Sequence, residues 1–273
     1  KWPAPPAEVF ALLGRLTERA HGPLGPCLPG LAVDGPATPA DLAPRLPPIG
    51  AAMVMSGFDP SVDKELRQAL SVTASDGQGP RSERAENATG LRPGDPVGVS
   101  LIHGDLEMGA TGTVTHVDGN RVYGFGHPFL NLGPTAYPMT RAHVFTVLPS
   151  LDSSMKIAAM GPVIGTMGQD RSTAVGGTLG AGPRELEVNL TLTSDRAPDR
   201  QFRFYVLHDQ ILTPLFSYVA ILNSLICYEG QAGAMWVAAT GSVSFGSNGV
   251  VQIDDAFTGD TAPALVSAAI AAP

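Results

Sequence analysis

The sequence predicts a mainly β protein of the α+β kind, with short antiparallel strands and hairpins forming a barrel or a sandwich, and a few helices. Three observations carry this. Glycine and proline supply 57 of the 273 residues, a density of backbone punctuation that suits many strands joined by tight turns and argues against a helical bundle. Two stretches alternate apolar and polar residues with period two, Leu186-Val188-Leu190-Leu192 and Phe202-Phe204-Val206. Between them and the N-terminus, Gly112 to Val117, then Asp118-Gly119-Asn120, then Arg121 to Phe125 reads as a hairpin, because Asp-Gly supplies the positive φ of a tight primed turn.

Residues 1–50 carry eleven prolines, and within them only Ala7 to Ala20 has a helical stripe, formed by Val9, Phe10, Leu12, Leu13 and Leu16. Ala51 to Met55 reads as a short buried strand. Asp59 as N-cap with Pro60 at the first helical position announces a helix to about Leu70. Residues 73–90 are polar, Gly-containing and aperiodic, which marks an exposed linker between an N-terminal segment (1–72) and a β-rich domain (91–273). That domain opens with the turn Leu91 to Pro96 and the strand Val97 to Ile102. Its alternating strands join around Ser194 to Asp199, Thr213-Pro214 starts a helix to about Leu225, and a last hairpin turns at Ser247-Asn248-Gly249.

Composition excludes several classes. A formal charge of −8 supplies no basic face for phosphates, so nucleic acid is not a partner. At 44% hydrophobic residues the chain has ample material for a core and is not globally disordered. The longest apolar run, Ile211 to Cys227, is interrupted by Thr213, Pro214, Ser217, Asn223 and Ser224, and reads as a buried helix rather than a membrane span. Cys27 and Cys227 stand alone, as a long-range disulfide or as two unrelated thiols. No metal-ligand spacing and no cofactor motif is present. Phosphate loops and Gly-x-Ser-x-Gly are absent as well.

Six histidines occur. His116 sits mid-strand, where facing solvent is the default, and His21 follows a helix, where a cation suits the dipole. His127 differs, standing in Gly124-Phe125-Gly126-His127-Pro128-Phe129 directly after a strand. The alternate glycines uncover backbone for close approach, and Pro128 biases His127 to an extended conformation. Such a histidine is either a hydrogen-bonded turn residue or a general base. A second cluster, Gln169-Asp170-Arg171, interrupts an apolar, Gly-rich run from Val163 to Gly177. Asp170 either pairs with Arg171 to tie a turn or orients a histidine, and Ser172 is a conceivable nucleophile.

Gly112-Thr113-Val114-Thr115, the hairpin, Gly126-His127-Pro128 and the downstream Ile164-Gly165-Thr166-Met167 with Gln169-Asp170-Arg171 resemble the sporulation stage IV B (SpoIVB-type) serine peptidase domain over residues 91–180. The match is to the long exported versions of non-sporulating bacteria, since Pro128-Phe129 replaces the Gly and β-branched residue of the sporulation enzymes. The resemblance implies His127 as catalytic base and Asp170 as the group that fixes its tautomer. That family's nucleophile lies in Gly-Met-Ser-Gly-Ser-Pro, a segment this sequence lacks. It is therefore expected upstream of Lys1, with the chain as the C-terminal product of self-cleavage. Implied partners are that upstream fragment and a peptide or protein substrate, in a periplasmic or secreted location. The rival expectation is an inactive, peptidase-like subunit of a larger envelope assembly, which the Pro-rich first fifty residues suit.

Overall fold

A computed structural model describes residues 52–70, 74–76, 90–149, 155–230 and 234–271. The expected helix over Ala7 to Ala20, the Pro-rich coil after it and Cys27 lie outside those residues.

Six antiparallel strands close on themselves: β3 (Pro96–Gly104), β4 (Glu107–Asp118), β5 (Arg121–Gly124), β8 (Ala174–Leu179), β7 (Met155–Arg171) and β6 (Gly133–Leu148), with β6 returning to β3. The expected barrel is present, although β6 and β7, at 16 and 17 residues, are not short. Its interior is filled by Val97, Val99, Val122, Met139, Met167 and Val175, all fully buried. Gly124 and Gly177 keep their own positions small so that Val97 and Met139 reach across, the large-against-small packing that fills a narrow barrel. Asp118 pairs with Arg121 around Gly119-Asn120, and of those two turn residues only Gly119 has positive φ, at 59°. The hairpin is therefore of the kind with glycine first in the turn, and Asp118 ends the strand instead of entering the turn.

The sheet extends past the barrel on both sides. The C-terminal end of β3 takes up β10 (Ala197–Leu207), which carries the edge strand β9 (Glu185–Ser194). On the other side β4 pairs with β1 (Ala52–Ser56), and β1 pairs in parallel with β2 (Ala74–Asp76) after the crossover helix α1 (Pro60–Leu70). The Asp59 carboxylate accepts the Ser61 N–H at 2.9 Å, the expected N-cap, and Val62 and Leu66 bury one stripe of α1. Because β1 and β2 belong to the main sheet, the expected boundary at residue 72 falls inside a βαβ unit, and the expected linker begins with a strand.

Helix α2 (Leu212–Glu229) lies against β9, β10 and α3 (Ala262–Ala271), with twelve of its eighteen residues buried. It is long and apolar enough to cross a membrane, yet it serves as the core helix that the sequence predicts. Its cap comes from Asp209, whose Oδ1 accepts the N–H groups of Ile211 and Leu212, while Thr213 Oγ1 donates to Leu207 O. Asn223, fully buried in α2, accepts the Asp59 N–H at 2.8 Å and donates to Gly57 O at 3.1 Å, which locks the β1–α1 turn to the second layer. Asn223→Ala strands both backbone groups and is expected to cost about 2 kcal/mol, read by chemical denaturation. Strands β11 (Met235–Ser244) and β12 (Val250–Gly259) form a separate two-stranded ribbon against α3, the expected last hairpin, with its helical turn at Gly246–Asn248, one residue before the expected Ser247-Asn248-Gly249.

Candidate functional site

The segment between β5 and β6, Phe125 to Leu132, joins two barrel strands and buries Phe129 and Leu130. The Gly126 N–H donates to Gly124 O at 2.9 Å across Phe125, whose φ is +73°. A three-residue turn with positive φ at its centre is rare and strained, and it persists only where surroundings hold it. Here two features hold it. The Phe125 N–H donates to Thr113 O at 2.9 Å, and the Phe125 ring lies flat on Gly112, where a methyl group would collide with it. The glycine of Gly112-Thr113 thus serves the turn that delivers His127.

His127 is half-buried at the exit of this turn. Its Nδ1 stands 2.7 Å from Pro128 O. A carbonyl oxygen only accepts, so Nδ1 carries a proton, and in the neutral ring the lone pair lies on Nε2. Among the described residues nothing hydrogen-bonds Nε2; the ring's other contact is Phe125, at 5.7 Å between centroids. The turn bond of the bland expectation and the free basic nitrogen of the catalytic one therefore coexist.

Asp170 does not fix that tautomer. Its carboxylate, fully buried near the end of β7, accepts the N–H groups of Phe129 and Leu130 at 2.8 and 2.7 Å. It also does not pair with Arg171, whose Nε donates to Gln169 at 2.8 Å on the exposed face. Strand alternation divides the triplet, sending Asp170 inward and its two neighbours out. Asp170 is accordingly a positioning residue that clamps the backbone two and three residues after His127. Ser172 sits exposed in the turn joining β7 to β8, with no hydrogen bond to His127. Ser56 is the last residue of β1.

Two neighbours were not singled out from the sequence. Tyr137, fully buried on β6, packs edge-on against Phe129 at 5.9 Å, and its hydroxyl has no partner among the described residues. Burial, reinforced by Asp170 and Asp209, holds its phenol well above the ordinary range, so it remains neutral. Lys156 of β7 donates through Nζ to Thr113 Oγ1. Neither had a local motif to announce it. Elsewhere, His103 Nε2 and Glu185 Oε1 stand 2.8 Å apart beside the stacked ring of Tyr205, on the outer sheet beyond the barrel. Cys227 is a free thiol that burial pushes up. Among the described residues, no group of three or more His, Cys, Asp or Glu side chains could hold a metal ion.

Compared with known protein families, with curated proteins and with solved structures, the chain matches none. The site is thus read from its own geometry: a half-exposed imidazole with a fixed tautomer, a free basic nitrogen, and a backbone held rigid on both sides.

Proposed function

We propose that the chain is the histidine-bearing portion of a SpoIVB-like serine endopeptidase, with His127 as general base and the nucleophilic serine on a segment outside these 273 residues. The observation that carries the reading is the His127 ring itself, whose Nδ1–H is taken by Pro128 O while Nε2 has no partner among the described residues. In the reaction Nε2 takes the serine hydroxyl proton as the oxygen attacks a peptide carbonyl, and returns it to the leaving amine. Asp170 acts at one remove, by holding the Phe129–Leu130 backbone on which the His127 turn rests. An exported location and a peptide or protein substrate belong to the same proposal.

A second reading, an inactive subunit of an envelope assembly, is favoured by the ribbon. Trp236 is 70% exposed and Val250 56% exposed on a two-stranded sheet that pairs with nothing else among the described strands. Fluorophosphonate labelling of the full-length gene product separates the two. The peptidase reading expects a labelled serine outside the 273 residues and no labelling in His127→Gln. Absence of labelling in the wild-type protein, or labelling at Ser172, contradicts it.

A further inference from the structure

The N-terminal half of β7 packs against β3 and β4, with Met160 over Gly98 and Gly109, so that Lys156 reaches Thr113, and its surroundings set it apart. Of the lysine and arginine side chains whose burial is described, only Arg141 and Lys156 are not exposed. Arg141 has an interaction of its own. Lys156 has a single hydrogen-bond partner, the Thr113 hydroxyl, and no carboxylate among the described residues, in a chain with 25 acidic residues. A half-buried ammonium loses hydration that one hydroxyl does not replace, and two of its three N–H groups remain to be satisfied. An external carboxylate satisfies both.

The position of Lys156 connects it to the His127 turn. Thr113 holds the ammonium through its hydroxyl and, through its carbonyl, the Phe125 N–H. Gly126 lies beside Thr115, two residues or about 7 Å farther along β4. Lys156 and the His127 turn are thus held by neighbouring positions of one strand, which suits one group recognising a peptide side chain while another acts on the backbone.

We propose that Lys156 is a specificity-determining residue of the His127 site, which receives a carboxylate of the bound peptide. This rests on the peptidase reading for its purpose, but not for its test. Because Lys156 is one of only three lysines in the sequence, its ε-carbon signal is assignable by NMR in the 273-residue chain. Three probes are titrated: an acetylated, amidated alanine pentapeptide with central glutamate, its glutamine counterpart, and an all-alanine pentapeptide with a free C-terminal carboxylate. The expected result is saturable movement of the Lys156 signal at least ten-fold tighter for a carboxylate probe than for the glutamine peptide. Preference for the glutamate probe names a side chain as the target, and preference for the free-terminus probe names the chain end. With affinities read by calorimetric titration, which needs no lysine signal, Lys156→Met is expected to abolish the difference and Lys156→Arg to retain it. Equal affinity for all three peptides, binding that leaves the Lys156 signal unmoved, or no binding overturns the proposal. If carboxylate selectivity is found but fluorophosphonate labelling of the full-length product is absent, the carboxylate site stands and the peptidase reading falls.

Discussion

On the peptidase proposal, His127→Gln in the serine-bearing protein is expected to lower kcat for peptide cleavage by about six orders of magnitude, the loss typical of removing the base from a serine–histidine pair. Folding should be almost untouched. The ring is half-buried, makes one hydrogen bond within its own turn and touches Phe125, so thermal unfolding is expected to shift by less than about 1 kcal/mol. Glutamine keeps a donor for Pro128 O but offers no basic nitrogen, so a large kinetic loss with intact stability identifies proton transfer rather than packing. Full activity in this variant would remove His127 from the chemistry.

Much of what positions this histidine was legible in the sequence, and the reasons are local. Asp59-Pro60 fixes the start of α1 through backbone rules that need no tertiary partner. The period-two runs became β9 and β10, and Gly119 made the hairpin turn. What stayed hidden depends on distant residues. Strands β6 and β7 contain Pro134, Pro138 and Pro162 with Gly161, Gly165 and Gly168, which read as chain breakers; the structure accommodates them with repeated register shifts in a long, bent hairpin. Strand β2 is three residues of Ala-Ser-Asp with no alternation, and its pairing is with the distant strand β1. Helix α3 is apolar nearly throughout and shows no amphipathic stripe. Asp170 stands out in the sequence as a polar residue in an apolar run, but its partners lie 41 and 40 residues away, so nothing in the local run distinguishes a backbone clamp from an imidazole orienter.

That clamp gives the largest expected effect on stability. Asp170→Ala leaves the Phe129 and Leu130 N–H groups buried without acceptors and removes two charge-assisted hydrogen bonds, a loss on the order of 4 kcal/mol. Against the ~5–15 kcal/mol that holds a typical domain together, this brings the chain close to unfolding. Asp170→Asn retains one acceptor oxygen but turns an amide N–H₂ toward the other donor, so about half of that loss is expected. Urea denaturation of the two variants beside the wild type checks the ranking. Because the clamped residues lie two and three positions after His127, the peptidase proposal expects peptide cleavage to fall in Asp170→Asn as well, even under conditions where it remains folded. A change below about 0.5 kcal/mol in Asp170→Ala would mean that the loop does not depend on this carboxylate.

The most direct test concerns the proton on one ring. With ¹⁵N-labelled histidine, the His127 imidazole at a pH where it is neutral should give the nitrogen shifts and couplings of the Nδ1–H tautomer, leaving Nε2 unprotonated. Finding the proton on Nε2, with Nδ1 bare, would contradict the hydrogen bond to Pro128 O and with it the assignment of His127 as the base.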